Sequence, residues 1–255
     1  MRILVISLSK ISKAFLKLQQ GFQIDVYSPN STIDGLNCVN DFAKLNGTYT
    51  HIFLGCKPQH VEGVAQSLQS NLYNASTVFI SVLAGTKIEK IKKIFHAEKV
   101  FRKVFRIMPS LAFEFGNSFL AYYSEGLAEE ESTIVRNLFG ENHLLKCENE
   151  QEIDYFTGIY GSGIGFVFEV MNTLFEKSQS LFPTANNREM MLNLFQNACK
   201  YMQLNNNTTF FEATQNVASK GGTTEMGLNF LRNNNALQTV ISGAIDEAIA
   251  KAGKM

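Results

Sequence analysis

The chain has 255 residues, 45% of them hydrophobic, which is enough for one large domain or two modest ones, each with a real core. Lys plus Arg equals Asp plus Glu at 23 each, so no broad field draws the chain to nucleic acid or to an anionic membrane, and neither is an expected partner. The four cysteines, at 38, 56, 147 and 199, form no C-x-x-C pair and stand near no histidine at metal-ligand spacing; they read as isolated, buried or partly buried thiols with neither a metal nor a disulfide framework.

The opening apolar run, Ile3-Leu4-Val5-Ile6, is far too short for a signal peptide or a membrane span. No other stretch reaches spanning length without charges, so the expected compartment is the cytoplasm. A strand over residues 3–8 is followed by Ile11, Ala14, Phe15 and Leu18 at helical spacing, then by Gly21 and a second strand over 22–27. Residues 30–48 are rich in Asn, Thr and Gly and hold only a short helical piece around 41–45. Beyond them a strand is expected at 51–56, a helix at 61–72, a strand at 77–83 and a helix at 88–95. Strands at 104–108 and 118–123, a helix at 129–139 and a last strand at 143–147 complete this half. Alternation of this kind demands crossover connections, hence an α/β fold with a doubly wound, largely parallel sheet.

The character changes near residue 150. No strand pattern follows, and residues 152–181 carry apolar residues at helical spacing, nearly all round the helix between Ile164 and Phe175. Such a helix must be buried in a bundle or against another subunit. Further helices are expected over 188–204 and 236–252, so residues 1–149 form one domain and 150–255 a helical one that associates with itself.

An N-terminal β-α-β in a parallel sheet is the usual place for a dinucleotide, with glycines in its first turn. Here the turn is Ser7-Leu8-Ser9-Lys10-Ile11. Its hydroxyls and Lys10 can meet phosphate, although serine resists a positive φ; a plain strand–helix turn accounts for the same residues. The second strand ends in Ser28-Pro29-Asn30-Ser31, with no acid to hold ribose hydroxyls, which favours NADP over NAD for any dinucleotide bound there; an ordinary polar turn accounts equally well for the same residues. Gly55-Cys56-Lys57-Pro58, Ala84-Gly85 and Arg106-Ile107-Met108-Pro109 each end a strand at one sheet edge, where open α/β sheets bind ligands.

In the helical half, Tyr160-Gly161-Ser162-Gly163-Ile164-Gly165 opens the most apolar helix with small residues that permit close packing. Ser219-Lys220-Gly221-Gly222-Thr223-Thr224 opens another helix. Its glycines free backbone amides and its hydroxyls add donors, a nest suited to a carboxylate; a simple cap through Thr223 or Thr224 is the competing account. The histidines at 51, 60, 96 and 143 show no ligand spacing, and neither a G-x-S-x-G elbow nor a P-loop occurs.

Together these segments resemble the pyrroline-5-carboxylate reductase family. The matching runs are Phe53-Leu54-Gly55-Cys56-Lys57-Pro58-Gln59, Ile80-Ser81-Val82-Leu83-Ala84-Gly85, Arg106-Ile107-Met108-Pro109, Gly161-Ser162-Gly163 with Phe166-Val167-Phe168, and the turn at 219–224. The resemblance implies a Rossmann-like N-terminal domain, a C-terminal helical dimerisation domain, and an oxidoreductase of proline biosynthesis. The reaction it implies is hydride transfer from NAD(P)H to 1-pyrroline-5-carboxylate, giving L-proline, in a homodimer or higher homo-oligomer. It assigns the substrate carboxylate to the turn of Ser219, Gly221, Gly222, Thr223 and Thr224, and makes Thr224 the catalytic donor to the ring nitrogen. It assigns the cofactor to residues 7–11, Ser28, Asn40, residues 55–58 and Ala84.

The chain also departs from the family. The glycine-rich first turn is Ser7-Leu8-Ser9, Asn-Thr-Pro after Met-Pro is Ser110-Leu111-Ala112, Pro-Ala-Tyr after Gly-Ser-Gly is Ile164-Gly165-Phe166, and the proline before Gly-Gly is Lys220. The stretch after the second strand is short, so one helix of the fold is expected to be missing or stunted. Two other readings stand beside the reductase: a non-catalytic or regulatory relative that kept fold and dimer, and a reductase of another small imino or keto acid.

Overall fold

The computed structural model describes residues 1–95, 103–116, 118–140 and 142–254. His96 lies outside the described residues. The strands are β1 (Arg2–Ile6), β2 (Gln23–Tyr27), β3 (Asn37–Val39), β4 (His51–Leu54), β5 (Val78–Ser81), β6 (Val104–Pro109), β7 (Phe119–Glu125) and β8 (His143–Lys146). They form one sheet in the order β3-β2-β1-β4-β5-β6-β7-β8. Every neighbouring pair is parallel except β6 and β7. The exception has a local cause. Only residues 110–118, with a single 3-10 turn (Leu111–Phe115), join β6 to β7, and a parallel return needs a crossover of a dozen residues or more.

Among the described residues, α1 (Lys10–Leu18), α2 (Val61–Ser67), α3 (Ile88–Ile94) and α4 (Glu129–Asn137) flank this sheet. The central strands are buried along their whole length, as strands covered on both faces must be. Alternate side chains enter two cores. Ile3, Val5, Phe53 and Ile80 pack with Phe15 of α1 and Val135 of α4; Leu4, Ile6, Ile52 and Phe79 pack with Val61 of α2 and Ile88 and Ile91 of α3. The helix expected over 61–72 stops at Ser67, because Leu68 turns extended, and a short 3-10 turn (Ser70–Leu72) follows that buries Leu72. None of residues 28–36 between β2 and β3 is helical. The usual second helix of the fold is thus absent, and a 3-10 turn (Phe42–Lys44) capped by Asp41 is what remains near there.

The strand-free part of the chain opens with α5 (Gln151–Phe156) and continues through a π turn (Thr157–Gly161). The remaining helices are α6 (Gly163–Leu181), α7 (Asn187–Leu204), α8 (Phe210–Val217), α9 (Thr223–Arg232) and α10 (Ala236–Lys254). The chain divides into two compact units, Met1–Ser162 with Glu247–Met255, and Gly163–Asp246.

Within the first unit a buried ion cluster ties β6 to α5. Arg106, fully buried on β6, donates from Nη1 to Glu150 and from Nη2 to Asp154, both at 2.9 Å. Glu150 Oε1 also accepts the amide of Ile88 at 2.7 Å, which fixes the start of α3. The end of α10 lies against the π turn: a Cβ at Gly158 would stand 2.4 Å from Ile249 Cγ1, so this approach needs glycine. The sequence directs attention to Gly161, Gly163 and Gly165 for close packing. Gly158 is the one in contact; a Cβ at Gly163 or Gly165 would meet nothing within 4 Å.

In the second unit none of the side chains of α6 is buried by its own chain. Phe168 on α6, Phe230 on α9 and Val240 on α10 are 56, 80 and 67% exposed, so the apolar helix is not the core of a bundle formed by one chain. Cysteine placement differs from expectation at one point: Cys38, Cys56 and Cys147 are buried or partly so, but Cys199 on α7 is exposed.

Candidate functional site

The candidate site residues fall into two groups, one in each unit. The first lies at the carboxyl edge of the sheet. The strand order runs outward in both directions from β1 and β4, which makes their carboxyl ends the topological switch point, where doubly wound sheets bind ligands. Ile6 is in register with Tyr27 and with Leu54, and Tyr27 with Val39. The next residues, Ser7, Ser28, Gly55 and Asn40, therefore share one edge. Residues 8–11 and 56–58 continue directly from it, and Ala84 follows β5 on the same edge. The residues expected around a dinucleotide thus lie along this one edge.

The first turn keeps a glycine shape without glycine. Ser7 has φ +76°, in the left-handed region, and its amide donates to Tyr27 O at 2.7 Å. Ser9 is the N-cap of α1, its Oγ accepting the Ser12 amide at 3.1 Å. Ser12, fully buried, pairs its hydroxyl with that of Ser9 at 2.9 Å. A Cβ on Gly55 would fall 2.0 Å from Ser12 Oγ and 3.2 Å from Ile6 O. Ser12 thus stands where α1 closely approaches the end of β4, the place that the third glycine of a G-x-G-x-x-G run takes elsewhere. Sequence reasoning stopped at Ile11 and missed it. The signal was the spacing: Ser7, Ser9 and Ser12 occupy all three small positions of that run.

Around this turn, Ser28 is buried, its amide donating to Val39 O at 2.8 Å and its Oγ 2.9 Å from that of Ser31. The Tyr27 ring stacks on Phe42 with centroids 3.7 Å apart. Asn40 is exposed and its Oδ1 accepts from Lys44 Nζ at 2.7 Å. Cys56 is buried, which pushes its thiol up to about 11 and leaves it an unreactive packing group. Pro58 opens a 3-10 turn (Pro58–His60) that leads into α2. These features fit a dinucleotide: a left-handed turn, a helix N-terminus and an acid-free end of β2 converge at the switch point.

The second group is the turn before α9. Gly222 is the N-cap of α9, without a side-chain cap bond, so Thr223 and Thr224 lie inside the helix and do not cap it. Gly221 has φ +73°, and a Cβ on Gly222 would stand 2.4 Å from Ser219 Oγ, so both glycines are required by the turn. The Gly222 amide donates to Ser219 O at 2.9 Å and the Gly221 amide to Glu225 Oε2 at 2.7 Å. The amides of Thr223 and Thr224 belong to the first turn of α9, where no intrahelical acceptor exists. Glu225 is a second residue that the sequence reading passed over.

A family profile described as pyrroline-5-carboxylate reductase dimerisation matches residues 150–255. The chain is 28% identical over 233 residues to the pyrroline-5-carboxylate reductase of Aquifex aeolicus, covering 87% of this chain and 81% of that protein. It is 27% identical over 223 residues to that of Staphylococcus haemolyticus, covering 86% of this chain and 79% of that protein. Over most of its length this chain is similar to the pyrroline-5-carboxylate reductases. Its fold agrees: the crystal structure of the Plasmodium falciparum pyrroline carboxylate reductase with NADP bound superposes with a TM-score of 0.83, 18% identity, and coverage of 99% of this chain and 97% of that one. The Rossmann-like sheet followed by a helical dimerisation region, expected from the sequence, is the architecture found, with β7 as its antiparallel strand.

Proposed function

We propose that this chain reduces 1-pyrroline-5-carboxylate to L-proline with NAD(P)H, as a cytoplasmic homodimer in proline biosynthesis. The observation that carries the reading is Ser7. A serine held at φ +76° at the switch point retains the turn that a dinucleotide needs, at a cost in backbone strain. Lys10 and the first amides of α1 face the pyrophosphate in this reading, Ser28 and Asn40 the adenosine ribose, and residues 55–58 with Ala84 the remainder of the cofactor. NADPH is preferred, since the end of β2 has hydroxyls and an amide but no acid to repel a 2′-phosphate.

When bound, the dihydronicotinamide supplies a hydride to the imine carbon. The protein's part is orientation and charge. The turn at 219–224 takes the substrate carboxylate through backbone amides, and the Thr224 hydroxyl donates a hydrogen bond to the ring nitrogen as electron density builds there. Thr224→Ala tests this division. It should lower turnover about 10- to 100-fold while NADPH affinity stays within about twofold. Equal losses of both would contradict the role given to Thr224.

A further inference from the structure

Glu225 follows the Gly-Gly-Thr-Thr run directly and stands three residues after the N-cap of α9. From that position an acidic side chain reaches back to amides ahead of the helix. Here it reaches Gly221, whose amide donates to Glu225 Oε2 at 2.7 Å. The Gly222 amide is held by Ser219 O. The turn therefore already binds a carboxylate, and the carboxylate is the chain's own. The Gly221 donor is thus engaged before any ligand arrives.

We infer that Glu225 is a resident competitor for the substrate carboxylate, a residue that sets how tightly this turn holds an anionic substrate. The inference rests on the reductase reading for what the turn receives. An incoming carboxylate must displace Glu225 from Gly221 and share the first turn of α9 with its negative charge. A ligand whose site is open for only a fraction of the time binds with an affinity reduced by that fraction. Glu225 thus weakens substrate binding without contacting the reacting atoms.

The test is a split between KM and kcat in Glu225→Ala and Glu225→Gln. Glu225→Ala should lower KM for 1-pyrroline-5-carboxylate about fivefold, the equivalent of about 1 kcal/mol. Glu225→Gln keeps the reach but loses the charge, so its KM should fall by about twofold. The effect belongs to KM and not to kcat. Calorimetric binding of L-proline to the same three proteins should tighten in the same order, a readout independent of turnover. A KM that stays fixed or rises in both variants, with proline binding unchanged or weaker, would overturn the inference even if every protein turns over. If proline binding tightens as expected but none of the three oxidises NADPH, the Glu225 inference stands and the reductase reading falls.

Discussion

Ser7, Asn234 and Asn235 are the non-glycine residues with left-handed backbone among the described residues. Asparagine tolerates that region; serine gains much less from it. Ser7→Gly should therefore stabilise the protein by about 1 kcal/mol and raise its unfolding temperature by roughly 2–4 °C, read by calorimetry. A lower unfolding temperature would contradict the strain assigned to Ser7. The neighbouring pair Ser12 and Gly55 makes a sharper case. A methyl group at 55 meets Ser12 Oγ at 2.0 Å, so Gly55→Ala should cost about 1–3 kcal/mol. Much of that loss should return in the Ser12→Gly, Gly55→Ala double variant, a coupling that urea unfolding of the four proteins measures. Simple additivity would show that the two residues do not share the space.

His51 opens β4 and is buried, and burial together with the N-terminal ammonium lowers its imidazole to about 4, against a smaller opposing pull from Glu131. The unfolded imidazole takes its proton near 6.5, the folded one only near 4, so between those values the unfolded chain binds more protons. Stability should thus fall as pH drops from about 6.5 to about 4, and His51→Gln should flatten that slope in urea titrations across the window. At the other end of the sheet, Asp154→Ala leaves half of the Arg106 guanidinium buried without its partner and should cost about 3–5 kcal/mol. The elements legible in the sequence were those whose cause is local: buried apolar runs such as β4 and β5, the strand–helix turn at residues 7–11, and the glycine turn opening α9. What escaped has non-local causes. The antiparallel β7 follows from the length of its connection, the end of α2 from a buried Leu68, and the need for Gly158 from Ile249, which lies far along the chain. Ser12 and Glu225 escaped because a serine and a glutamate in a helix's first turn look like ordinary capping residues until their partners are seen.

In a single copy α6 buries no side chain and Phe230 is 80% exposed, so the helical unit leaves apolar faces uncovered. In the homodimer proposed here a second copy covers these faces, and sedimentation should give twice the chain mass or a multiple of it. Phe168→Glu, which sets a charge on the exposed face of α6, should shift that equilibrium toward monomer. A wild-type monomer would contradict the assembly. Cofactor binding in the proposed reductase depends on a first turn that keeps its shape with three serines. Titration of the purified protein with NADPH and NADH, followed by addition of 1-pyrroline-5-carboxylate, tests it most directly. The prediction is saturable NADPH binding below about 1 mM, tighter than NADH, and substrate-dependent oxidation of the bound cofactor. Binding of neither nucleotide at millimolar concentration would contradict it.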